Sequence, residues 1–315
     1  MKIIVRLATV LVVVVLAVGI AMAVSGDTFG LFSALSDEDS YSDMLTWTAQ
    51  ETLETVRLDF DVRRVEVKLT DDPFVSVNYH AHEKDTWTFD QSGSVLEAKQ
   101  THKPSFTFFS FGMVPSEFRT VSLNLPRSSV HALEIKTDVG DIVLDCGETI
   151  SLEHLGIDTD TGTITLNNVD VETGISADTS TGRVTMENVT TDDAVIDVST
   201  GRVRLTDFTF GTLDIDNSTG DVILEDGEVT GSLSVDNSTG KIDITDVTAS
   251  SYDLKTSTGD IVVALESYAD VAMDLSTDVG RVRVFGDDQG KSHVVSTGSI
   301  LLKAEVSTGS ITIED

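Results

Sequence analysis

One cysteine, Cys146, stands in 315 residues, so the chain has no intrachain disulfide framework. That suits the cytosol, and equally the outside of a bacterium that makes no disulfides. Positive charge is the second shortage. Lys and Arg number 21 against 53 Asp and Glu, a formal net charge of −32. Phosphates would be repelled, which argues against nucleic acid or an anionic membrane surface as partner. The acidic surplus suits a surface that meets salt, divalent cations or basic partners. Helical spacing is missing as well once the N-terminus is passed. Apolar residues, at 40%, are still numerous enough for a core, and the length allows one large domain or two ordinary ones.

The N-terminus carries the compartment signal. MKIIVR is a short basic start, and Leu7 to Gly26 then holds no charge. As a helix that run would span about 30 Å, roughly one hydrocarbon core. Lys2 and Arg6 precede it and Asp27 comes after it, so the positive-inside rule places the bulk of the chain outside the cytoplasm. Ala21-Met22-Ala23 also fits a small-residue cleavage site, so residues 1–26 read as an uncleaved anchor or a removed signal peptide. Both export the rest of the chain: an acidic linker over 27–50, an irregular β region over 51–130, and a repeat region over 131–315.

Glycine marks the repeat. Gly140, Gly162, Gly182, Gly201, Gly220, Gly240, Gly259, Gly280 and Gly298 are spaced 18 to 22 residues apart, and Gly309 comes 11 residues later. Ser-Thr precedes most of them. Seven and five residues before each glycine from Gly140 to Gly280 the chain is apolar, as at Leu213 and Ile215; two and four after, it is apolar again, as at Val222 and Leu224. Alternation with a period of two on both sides of a turn is the strand signature.

Each repeat therefore reads as short strands bent at glycine, which accepts the positive φ of a tight bend. A second corner is marked by Asn168, Asn188, Asp207, Asp226 and Asp246, types that tolerate left-handed backbone. One coil cannot bury its apolar side alone, but stacked coils bury it as a column. The fold class expected is all-β: a parallel β-solenoid of ~20-residue coils, wound right-handed by the crossover rule. The glycine spacings imply coils stacked in chain order. Asn217 and Asn237, three residues before their glycines, are expected to face inward and satisfy one another as an amide ladder.

From Thr52 to about Val130 strand patterns recur without the glycine period, as in VRLDF and FVSVNYHAH. This reads as the irregular start of the solenoid, which must cap its open end. SFTFFSFGM, residues 105–113, concentrates aromatics and reads as cap core or as a patch for a partner.

"VSLNLPRSSVHALEIKTDVGDIVL" (121–144), with T-G-x-Φ and S-T-G-x-Φ recurring after it, resembles the bacterial candidate-adhesin domain family. The resemblance covers roughly residues 50 to 315. It implies a β-solenoid of unknown function, often behind a membrane anchor and linked to envelope-stress gene clusters. It implies no cofactor, and it carries over no catalytic residues.

Four residues before glycine lies an outward position, occupied in turn by Lys136, Asp158, Asp178, Asp197, Asp216, Asp236 and Lys255. Five aspartates on consecutive coils should line one face. Unit charges ~4.8 Å apart repel by about 0.9 kcal/mol even in bulk water. The row reads as a solvated face or as a weak divalent-cation ladder that would take Ca²⁺ on its hard oxygens. Asp138 and Asp160, at the adjoining corner, are the pair that a polysaccharide-cleaving solenoid would use. His80 and His82 sit two apart on one strand, and two ligands do not make a metal site. Asp214, Asp216, Ser218 and Glu225 mimic an EF-hand loop, but its sixth position is Thr219 where glycine is needed. The reading that results is a membrane-anchored, extracytoplasmic, non-catalytic binding or scaffold module of the cell envelope. Its alternatives are the polysaccharide enzyme and a solenoid that self-assembles end to end.

Overall fold

The computed structural model describes residues 40–103, 116–127 and 129–314. The apolar N-terminal run, the acidic stretch to residue 39 and the aromatic stretch 105–113 lie outside the described residues. No helix among the described residues is long and apolar enough to cross a membrane.

The glycine period is a stack of coils. Strand after strand pairs in parallel with its equivalent one repeat on: Ile164 with Ile142, Val203 with Val222, Val222 with Ile242, Ile242 with Ile261. The residues expected to face inward do so. Leu133, Leu155, Leu213 and Leu233 are buried on one side of the glycine corner, and Ile142, Ile164, Val222 and Ile242 on the other. They form one continuous apolar column. Each fully buried Leu, Ile or Val contributes about 1.5–3 kcal/mol, but only against a neighbouring coil. The column is therefore a property of the stack.

The corner explains the repeated Ser-Thr-Gly. A Cβ on Gly201 would lie 1.4 Å from the carbonyl oxygen of Gly182, and one on Gly240 would lie 1.8 Å from that of Gly220. Successive corners are stacked too closely for any side chain. Three residues earlier, a threonine hydroxyl donates to the corner carbonyl of the preceding layer: Thr159 to Gly140 at 3.2 Å, Thr256 to Gly240 at 3.3 Å. Asn217 and Asn237 are buried as expected, but they do not bond to one another. Both side-chain amides donate to the Gly220 carbonyl, at 3.1 and 3.0 Å, and neither Oδ1 has a partner. An amide ladder does exist at the second corner, where Asn188 Nδ2 donates to Asn168 Oδ1 at 2.6 Å. Asn168, Asn188, Asp207, Asp226 and Asp246 all take the left-handed backbone read from their types, with φ of 51–56°.

Coil order departs from chain order at both ends. Leu302 pairs with Tyr252 on one side and Met273 on the other, so the segment Ile300–Glu314 lies between the coils of Gly259 and Gly280. The strand Thr55–Val62 is likewise held between Val95–His102 and Ala132–Val139. Arg64–Thr70 lies between Thr120–Pro126 and the first residues of Ile142–Thr161. In each case the outermost coil carries antiparallel strands that cover its edge. Asp85–Ser92 closes Val95–His102, and Ser292–Val295 closes Val271–Val279. An open parallel edge is a template for another chain, and these strands occupy it. The strand Leu45–Thr48, in the stretch read as linker, adds to Ser76–Tyr79 in the same cap.

Candidate functional site

Register builds the acidic face. Lys136 pairs with Asp158, Asp158 with Asp178, Asp216 with Asp236, and Asp236 with Lys255. Asp197 lies between Asp178 and Asp216, both of which feel its charge. The five carboxylates expected in a row are therefore brought into a row. The insertion of Ile300–Glu314 adds Glu305 beyond Lys255, and the other end continues through Asp59 to Lys99. Asp59 was invisible to a count based on the glycine period, and so was the placement of Glu305, four residues before Gly309, directly beside Lys255.

One end of the row is neutralised and the rest is not. Lys136 Nζ bonds Asp158 at 2.6 Å, and Lys99 bonds Asp59 at 2.6 Å. Lys255 turns to Asp253, at 2.8 Å, rather than to Asp236. Asp178, Asp197, Asp216 and Asp236 have no ion-pair partner among the described residues. Partial burial, and then repulsion from Asp197 and Asp158, holds the Asp178 carboxyl above the usual range. Burial, and after it Asp197, Asp236 and Asp214, does the same for Asp216. The face can receive a cation between neighbouring layers or a row of basic groups. Two adjacent carboxylates supply at most four of the six to eight oxygens that Ca²⁺ takes, so a bound ion would keep much of its water.

Asp138 and Asp160 are adjacent, with a third carboxylate, Asp61, that the repeat did not point to. Burial, then Asp61 and Asp160, raise the Asp138 carboxyl. A trough of about 760 Å³ lies on the neighbouring surface, over Gly156, between Arg57, Lys99, Lys136 and Asp178. It is lined by neither Asp138 nor Asp160, and His154 is its sole ring. The geometry that a sugar-cleaving pair needs, two carboxylates across an aromatic groove, is not assembled there.

A second cluster is buried in the N-terminal cap. His82, Asp85 and His102 bring one ligand-type atom each within 4.8 Å of one another. Their hydrogen bonds oppose a metal reading. Asp85 Oδ1 accepts from Gln100 Nε2 at 3.0 Å and His102 Nδ1 at 2.8 Å. Its Oδ2 accepts from the His82 amide at 2.9 Å and from Arg63. His82 Nδ1 accepts the Lys84 amide at 3.0 Å, so the ring proton sits on Nε2 and no lone pair is left to ligate. His80 turns away, its Nδ1 donating to the Ser42 carbonyl at 2.9 Å. The cluster is a clamp centred on a buried ion pair, with the Arg63 and Asp85 side chains 1% and 0% exposed. Burial alone would raise the Asp85 carboxyl; Arg63, His102, the His82 amide and Gln100 together bring it below the usual range. Arg63 was not legible as a core residue. It stands where later coils have glycine, its carbonyl lying under Gly140, and no periodic signal marks it.

None of the curated proteins compared matches the chain. Three solved structures are similar to the chain at low identity. A candidate adhesin from Bacteroides fragilis NCTC 9343 has 10% identity and a TM-score of 0.47, covering 86% of this chain and 97% of its own. A candidate cell adhesion protein from Clostridium sporogenes ATCC 15579 has 11% identity and a TM-score of 0.24, covering 86% and 98%. A candidate lipid-binding protein from Parabacteroides distasonis ATCC 8503 has 10% identity and a TM-score of 0.49, covering 87% and 98%. The sequence profile of one family matches far more directly, over residues 54–272. That span includes the inserted first coil and every glycine corner from Gly140 to Gly259, and the chain belongs to the Toastrack DUF4097 family.

Proposed function

We propose that the protein is a non-catalytic binding or scaffold module of the cell envelope. Its right-handed solenoid would be held outside the cytoplasm by the apolar N-terminal run, and its acidic face would meet a basic or cation-bridged partner. The observation that supports this reading is the row Asp178, Asp197, Asp216, Asp236. These are consecutive outward carboxylates on a flat strand face, and none is neutralised within the described chain. A role in envelope stress is the extension that the family resemblance suggests. End-to-end self-assembly is less favoured, because antiparallel strands cover both end coils.

The test joins location with the face. Cell fractionation and protease shaving of intact cells should find the full chain in the membrane with its solenoid accessible. Capture from envelope fractions should recover a partner with the native chain and lose it with Asp178→Asn/Asp197→Asn/Asp216→Asn. A soluble cytoplasmic chain, or capture that ignores the triple substitution, would reject the proposal.

A further inference from the structure

The C-terminal coil sits out of chain order, and the link that puts it there is short. Ser292–Val295 lies outside the coil Val271–Val279, with Val295 opposite Met273. Five residues later Ile300 lies on the inner side of the same coil, opposite Val271. Ser296 to Ser299 must therefore carry the chain across the full thickness of one layer. The crossing is tight. Gly298 has φ +148°, and a Cβ there would lie 2.4 Å from the Ala272 nitrogen and 2.7 Å from the Asp270 carbonyl oxygen. Asp270 pins the link, taking the Ser299 amide at 3.0 Å on Oδ1 and the Ser299 hydroxyl on Oδ2.

The coil that this link delivers is a self-contained plug. Leu302, Ala304, Val306, Ile311 and Ile313 are buried, and the segment is laddered on both edges. The slot that receives it is formed by two other coils. Nothing in the slot depends on which chain supplies the plug.

We propose that Ile300–Glu314 is an exchangeable element through which two copies of this chain join. It is seated in its own slot in the monomer and in the neighbour's slot in a reciprocal dimer. Exchange keeps both ladders and all five buried side chains, and it relieves the crossing at Ser296–Ser299. Short, constrained hinges are the setting in which such exchange occurs at low cost. The competing outcome is closure of the slot. Gly280 comes 21 residues after Gly259, an ordinary coil step, and Met273 is already in register with Tyr252 through Leu302.

The experiment uses the full chain with Cys146→Ser. One preparation carries Ser257→Cys and another Ser307→Cys, exposed positions that face each other across the ladder. The two are mixed, unfolded, refolded together and treated with a short thiol cross-linker. Exchange predicts a cross-linked pair whose yield rises with protein concentration as mass action requires. It also predicts that deleting Ser296 and Thr297 shifts the chain to dimer, and that lengthening the link with Gly-Ser restores monomer. If no cross-linked pair forms at any concentration, while one chain carrying both cysteines links only to itself, the proposal is wrong. It is equally wrong if Ser257→Cys links to Asp278→Cys in the same chain, because the slot has then closed. The readouts leave the acidic face untouched, so they stand apart from the binding role proposed above.

Discussion

Arg63 and Asp85 form an ion pair that water does not reach, 22 residues apart in sequence. The pair joins the corner of the first coil to the hairpin that covers the stack. Removing one partner leaves the other charged and buried, which costs about 3–5 kcal/mol. Arg63→Met and Asp85→Asn should each lower stability by that amount in chemical denaturation. The double substitution should cost less than the sum of the two. Additive losses would mean that the pair is not the clamp.

Corner glycines are expected to be intolerant for a steric reason. Gly201→Ala places a methyl 1.4 Å from the Gly182 carbonyl oxygen, so two layers must part. A loss above ~3 kcal/mol or outright misfolding should result, in the range of overpacked cores and strained backbone. Gly147 gives the contrast. Its φ is +67° but nothing lies within 4 Å of an added Cβ, so Gly147→Ala should cost only about 1 kcal/mol of backbone strain. Equal losses at the two sites would show that spacing between layers is not what selects glycine.

These corners also show what was legible beforehand. Inward residues and left-handed Asn and Asp corners arise from local chemistry repeated at one period, and they hold in the structure. The positive φ expected of the glycine bends is taken at Gly140, Gly220, Gly240 and Gly259 but not at Gly162, Gly182, Gly201 or Gly280, where close stacking of the corners selects glycine instead. The order of the layers does not arise from that chemistry. The step from Gly259 to Gly280 looks like every other step, yet Ile300–Glu314 is inserted between the two coils and Ser292–Val295 covers the outer edge. The carboxylate row was readable because it repeats. Asp59 beside Lys136, Asp61 beside Asp138 and Glu305 beside Lys255 owe their places to the inserted order of the coils, which counting could not give. Arg63 was hidden because an isolated arginine between two strands reads as solvent-facing. Its partner Asp85, and the Gln100 and His102 that hold that carboxylate, come from the hairpin that folds back over it.

The two buried asparagines are a local departure from the better solution used elsewhere in the stack. Threonine at the same position donates to a glycine carbonyl and leaves no buried acceptor that must be filled. Asn217 and Asn237 each leave Oδ1 unpartnered. A buried unsatisfied polar atom costs about 1–3 kcal/mol. Asn217→Thr and Asn237→Thr should therefore stabilise the chain by about 1 kcal/mol each, read as a shift of the denaturation midpoint at unchanged slope. Destabilisation by either would mean that the amide contact with the Gly220 carbonyl outweighs the orphaned oxygen.

Acid titration separates the clamp from the face, because their carboxyls are displaced in opposite directions. Asp178 and Asp216 are raised by burial and by neighbouring aspartates, so they hold a proton more tightly in the folded chain. Their contribution to stability is complete below the unfolded value of about 3.9 and is lost as pH rises through the folded values. Asp85 lies below the usual range, so its contribution is complete above about 3.9 and is lost as pH falls through its folded value. Melting temperature should therefore rise as pH is lowered from neutrality toward the carboxylate range, then fall once Asp85 takes its proton. Asp178→Asn/Asp197→Asn/Asp216→Asn should shrink the rise to the part owed to Asp138 and keep the fall. At neutral pH the same variant should be more stable by about 0.5 kcal/mol for each like-charge contact removed, the bulk-water repulsion after partial screening by salt. High salt should narrow the difference between variant and native chain. A native chain whose stability declines steadily from neutrality downward would show that the aspartates on the face do not repel one another enough to matter.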